Sequence, residues 1–98
     1  VEDSATVRAR VLQAFDFQIQ RQGCLNHSLS PKQLEQFAVL DQASSKMLEM
    51  AQQRLNLSAR AYHRVLRVAR TIADLAQSQE IQNVHLTEAL SYRNNMAP

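Results

Sequence analysis

Arg60 is the residue whose position most asks for a chemical explanation. It follows Ser58, a residue type that caps helices, so it falls in the first turn of the helix that Ser58 opens. There the backbone N–H groups are unsatisfied and the helix dipole favours negative charge, which makes a cation locally unfavourable. A phosphate brought to that end would reverse the sign, because guanidinium and N–H groups could address its oxygens together. Arg64, Arg67 and Arg70 follow on the same helix. At about 100° per residue they share with Arg60 and His63 a sector roughly 120° wide, opposite the apolar stripe. Two readings stay open for that sector: a solvated polar face, or a surface for anions with phosphate as target.

Other side chains offer less. His27, His63 and His85 sit on different segments with no ligand spacing shared with Cys24, so no metal site is expected. Cys24 lacks a nearby His and orienting acid and reads as an incidental thiol. Met47 and Met50 read as helix-core fillers, and Asp16, Glu35 and Glu49 as isolated surface carboxylates. A single glycine cannot build the G-x-x-x-x-G-K-S/T phosphate loop, so hydrolysis of a nucleotide by this chain alone is not expected.

The elements that must position Arg60 are helices. Ninety-eight residues suffice for one compact domain, and 45% hydrophobic with 20% charged residues is ordinary for a folded protein. One Gly and two Pro argue against a turn-rich β architecture. Helical spacing of Val7, Val11, Leu12, Phe15 and Ile19 predicts a first helix from Ser4, as N-cap, to Arg21, closed by Gly23. Cys24 to Leu29 is expected to be a loop. Ser30, Pro31 and Gln33 form a capping-box start for a second helix with Leu34, Phe37 and Ala38 inward. Asp41 caps a third, lined by Met47, Leu48, Ala51 and Leu55 and ended by Asn56. Ser58 opens the fourth and longest, to about Ala76, with Tyr62, Val65, Leu66, Ala69, Ile72 and Ala73 as a core stripe. Asn83 is expected to cap a short last helix with Leu86, Ala89 and Leu90 inward, and Asn94 to Pro98 to fray. The expectation is an all-α fold, a single small bundle of about five helices.

The net charge of +2 is a weak lean, concentrated after Met50. No apolar run approaches the roughly 18–20 residues that span a bilayer, so no membrane partner is expected, and a lone cysteine fits the reducing cytoplasm. A start at Val1 rather than Met reads as an excised piece.

From Leu57 to Arg93 the chain carries L-S-A-R-A-Y-H-R-V-L-R-V-A-R-T-I-A-D-L and then E-I-Q-N-V-H-L-T-E-A-L-S-Y-R. These blocks resemble the C-terminal domain of bacterial magnesium-chelatase-like AAA+ ATPases, within them the YifB/ComM group. The likeness extends upstream through V-R-A-R-V at Val7–Val11 and G-C-L-N at Gly23–Asn26, and so covers nearly the whole chain. The resemblance implies that residues 1–98 are the C-terminal helical lid of a larger protein whose ATPase core is absent here. In such proteins a domain resembling the Lon protease fold comes first, then the ATPase core, then the lid. It implies that Arg60 is the sensor-2 arginine, which contacts the γ-phosphate of bound ATP. ATP and Mg2+ are expected in the full-length protein and no cofactor in this fragment. The implied partners are the chain's own AAA+ core, neighbouring subunits of a ring expected to be hexameric, and DNA, through branch migration during natural transformation. Arg64, Arg67 and Arg70 are left as candidates for a subunit interface or DNA. Asn56 stands where many relatives have Gly, and His27 where a small residue is expected. Two rival functions stay open: a stand-alone basic helical DNA-binding module, and a purely structural oligomerisation domain.

Overall fold

The computed structural model describes residues 3–92. Arg93 and the tail Asn94–Pro98, expected to fray, lie outside the described residues. The chain forms α1 (Ser4–Gln22), a 3-10 turn (Asn26–Ser28), α2 (Pro31–Phe37), α3 (Gln42–Arg54), α4 (Ala59–Leu75) and α5 (Asn83–Ser91). No strand occurs among the described residues.

Helices α1 to α4 each begin where a side chain takes an orphan N–H group. Ser30 accepts from the Gln33 amide at 3.2 Å while the Gln33 side chain accepts from the Ser30 N–H at 2.9 Å, the reciprocal pair expected. Asp41 accepts from the Ser44 amide at 2.7 Å, and Ser58 from Ala61 at 3.1 Å. Two caps differ by one residue from expectation. At α1 the cap is Asp3, whose carboxylate accepts from Thr6 at 2.8 Å, a better acceptor than Ser4 at a positive helix end. At α5 the cap position is Gln82, because the Asn83 side chain is engaged elsewhere, accepting from the Ser44 hydroxyl at 2.6 Å.

The ends follow equally local rules. Gly23 (φ 80°) and Asn56 (φ 54°) take the left-handed conformation expected of them. At α3 the Leu57 amide reaches back to the Gln52 carbonyl at 2.9 Å and Asn56 to Gln53 at 3.3 Å, a complete Schellman closure. Gln77 (φ 59°) closes α4 the same way, with Ser78 bonded to Ala73 at 2.8 Å and Gln77 to Asp74 at 3.0 Å.

One apolar core joins α2, α3, α4, α5 and the segments between them. It comprises Leu29, Leu34, Ala38, Leu48, Val65, Leu66, Ala69, Ala73, Ile81, Leu86 and Ala89. The α4 stripe lies where its 3.6-residue period puts it, with Tyr62 and Ile72 partly buried at its margins. Helix α1 contributes nothing to that cluster. Its Val7, Leu12, Phe15 and Ile19, which share helical spacing, are exposed, and only Val11 among those five is half-buried. Instead α1 meets the bundle through the buried Ala14 and, at the end of α4, through polar side chains.

Candidate functional site

Helix α4 carries the candidate site at one end and its anchorage at the other. The Schellman closure at Asn56 leaves only Leu57, half-buried against the core, before Ser58 caps α4. The direction of the α4 start is therefore set by α3, with little slack. Arg60 lies in the first turn, fully on the exposed side, and the first turn holds no acidic residue. Among the described residues it has no hydrogen bond or ion pair. A guanidinium thus stands free beside helix N–H groups, both of them suited to an anion.

The next turns differ. Arg64 is half-buried and engaged with a neighbour. His63 is half-buried and meets the Tyr62 ring edge to face, centroids 5.7 Å apart. Burial, with Glu49 and Glu35 nearby, pushes the Tyr62 hydroxyl above its ordinary 10.0. Arg67 donates through Nε and Nη2 to the Leu29 carbonyl at 3.2 and 2.8 Å.

Arg70 corrects the expectation of a continuous exposed arginine face. It is 2% exposed and donates to the carbonyls of Gln79 at 3.0 Å and Ser78 at 2.9 Å, with Nη2 3.1 Å from Asp74. Its Nε is buried without a partner among the described residues. Burial pulls the guanidinium below its ordinary value, opposed by the Asp74 carboxylate and reinforced by Arg21. The period places Arg70 opposite the apolar stripe correctly. That side is covered all the same, because the Gln77 closure folds the chain back over it.

This covering creates a polar hub that the sequence does not foretell. Asp74, 3% exposed, is held by Arg21 in a bidentate pair at 2.8 and 3.1 Å and by the Asn26 amide at 3.0 Å. Asn26 sits in the 3-10 turn. It also donates to the Thr71 hydroxyl, accepts from Gln22 and Arg21, and receives the Gln18 side chain on its backbone N–H at 2.9 Å. The Gly23–Leu29 loop therefore delivers Asn26 between α1 and α4. The one trace of the hub in the sequence is the Arg70–Asp74 spacing of i, i+4. On one side the hub opens on a cleft of about 570 Å3, flanked by Phe17 and Gln77, so Arg21 keeps contact with water while Arg70 does not.

Among the described residues no three His, Cys, Asp or Glu side chains lie together as metal ligands would, and no helix is long and apolar enough to cross a membrane.

Comparison with known proteins agrees over the whole described chain. The family model for magnesium chelatase, subunit ChlI C-terminal, matches residues 1–93. The chain is 47% identical over 92 residues to competence protein ComM of Haemophilus influenzae. It is 44% identical to the uncharacterized protein YifB of Salmonella typhimurium and 47% identical to that of Escherichia coli. Each match covers 94% of this chain and 18% of the relative, so the chain spans about one-fifth of the length of these relatives.

Proposed function

The chain belongs to the magnesium chelatase subunit ChlI C-terminal family, in its ComM/YifB group, and from that premise we propose that it is the helical lid of a larger AAA+ ATPase. Arg60 is then the sensor-2 arginine. The observation that carries this is the contrast along α4: Arg67 and Arg70 are spent on carbonyls and Asp74, while Arg60 is exposed at the positive helix end.

The residues present fit a nucleotide only as one wall of its site. Arg60 and the first-turn amides can address phosphate oxygens, but one glycine supplies no phosphate loop, so the triphosphate and its Mg2+ must be held by the absent core. ATP supplies the phosphoryl group that the core transfers. Arg60 contributes fixed positive charge where negative charge collects, and a capped helix presents it with little reorganisation. Closure of the lid then depends on the nucleotide, and the ring of subunits would read that closure. A DNA-remodelling role in the cytoplasm is the wider proposal, supported by a relative that carries the name competence protein.

Arg60→Ala in the intact protein tests the assignment. Steady-state ATP turnover should fall by about 100-fold or more with ring assembly unchanged, the size of effect seen for charge-stabilising groups at phosphoryl transfer. Arg60→Lys should restore it only in part, since an ammonium lacks the planar fork. Unchanged turnover in Arg60→Ala would favour a purely structural oligomerisation domain. Tight, steeply salt-dependent DNA binding by the isolated chain would favour a stand-alone DNA module instead.

A further inference from the structure

Two guanidiniums and one carboxylate meet in the hub, which leaves it short of an anion. Arg21 and Arg70 both pair with Asp74, and among the described residues neither pairs with another carboxylate. Arg70 carries the deficit, because it is 2% exposed while Arg21 reaches water. Its Nε is also buried with no acceptor, and an unmade hydrogen bond on a charged group inside a protein is costly. Burial, reinforced by Arg21, pulls its pKa down against the pull of Asp74, the response of a cation that lacks counter-charge.

A second cleft, of about 360 Å3, lies against this deficit. Arg70 and Arg21 line it together with Phe37, Val39, Leu40 and Ile81, so cations and apolar walls share one concavity. Its volume is in the range of small-molecule sites. We propose that this cleft binds a small carboxylic acid with an apolar body, whose carboxylate takes the Arg70 Nε–H and completes the hub. A carboxylate suits the donor fork of a guanidinium, and Arg21 adds positive charge from the same wall. Asp41 and Glu80 also border the cleft, exposed to water, and disfavour a phosphate dianion more than a single negative charge. The head reaches the shielded Nε by a small parting of segments 38–41 and 78–81, irregular backbone that opens at low cost. The site is separate from Arg60 and needs neither the lid assignment nor a nucleotide.

Hexanoate, with hexanamide and inorganic phosphate as controls, tests this by proton–nitrogen correlation NMR of the 98-residue chain at neutral pH. Hexanoate should shift the Arg70 Nε–H signal and the Val39 and Ile81 amides along one saturating curve, half-maximal at about 1 mM or below. Hexanamide keeps the body and loses the charge, so it should bind at least about tenfold more weakly. Phosphate should leave these signals in place. Two variants complete the test. Arg70→Lys keeps the charge and removes the Nε–H, and should weaken hexanoate binding about tenfold or more. Val39→Trp obstructs the cleft from an exposed position outside the hub, and should weaken binding similarly whether or not Arg70→Lys folds. Equal shifts with hexanamide would overturn the proposal and leave only an apolar groove. Equal shifts with phosphate, hexanoate binding unaltered in Val39→Trp, or no shift at about 10 mM hexanoate would overturn it as well. Turnover by the intact protein does not enter, so either result leaves the Arg60 assignment standing.

Discussion

A carboxylate taken almost wholly out of water needs its counter-charge inside the protein, and Asp74 has two guanidiniums within 3.1 Å. Removing it would leave the buried Arg70 without its carboxylate and facing Arg21, with Arg21 able to reach the cleft and Arg70 unable to reach solvent. Asp74→Ala should therefore cost about 3–5 kcal/mol, the usual penalty for stranding a buried ion-pair partner, and urea unfolding would measure it. Asp74→Asn keeps part of the hydrogen bonding and should cost less. His85 offers a second residue-scale test. Its Nδ1 accepts from the Gln82 N–H at 2.9 Å, a role open only to the neutral ring, and burial with Arg70 nearby holds its pKa below the ordinary 6.5. Below pH 6.5 the unfolded chain takes up this proton before the folded one does. Stability should fall as pH drops from 6.5 through the lowered value. Asp3 and Asp41, whose caps hold them below 3.8, act the same way but only in stronger acid. Thermal melts from about pH 7 to about pH 5 should show the His85 slope, and His85→Gln should flatten it.

Helix ends are where the elements are specified, and one substitution isolates backbone from packing. At Gly23 an added Cβ meets nothing within 4 Å, so the only obstacle to a side chain is φ 80°. Gly23→Ala should cost about 1 kcal/mol by denaturant unfolding, and Asn56→Gly should be close to neutral. The same locality explains what could be read from the sequence. Ser30 with Gln33, Asp41 and Ser58 act within three residues of themselves, so their chemistry is legible without knowledge of the fold. The 3-10 turn at Asn26 is different, because it exists to reach Thr71 and Asp74, 45 and 48 residues away. Arg70 departs from its expected exposure for a related reason. Periodicity assumes one covered face per helix, whereas α4 is touched by α1, α2, α5 and the 3-10 turn. Gln77 hides its own part in this, since nothing in a glutamine announces a left-handed turn. Arg60 stands out because its oddity is local, a cation on the wrong end of a dipole.

In the whole molecule α4 is the shaft that joins the candidate site to the polar hub. Arg60 and Asp74 lie fourteen residues apart in the sequence, roughly 21 Å along the axis, with the arginine at the α3 end and the α1 hub at the other. The hub and Arg60 are joined by a single helix, so the seating of α1 and the position of Arg60 share one rigid element. The composition of the joint then matters. Two apolar surfaces can roll or slip past one another by a side chain's width at little cost. The α1–α4 joint cannot, because a bidentate Arg21–Asp74 pair and the Asn26 bonds close in one register only. It behaves as a key in a keyway, transmitting torque without backlash.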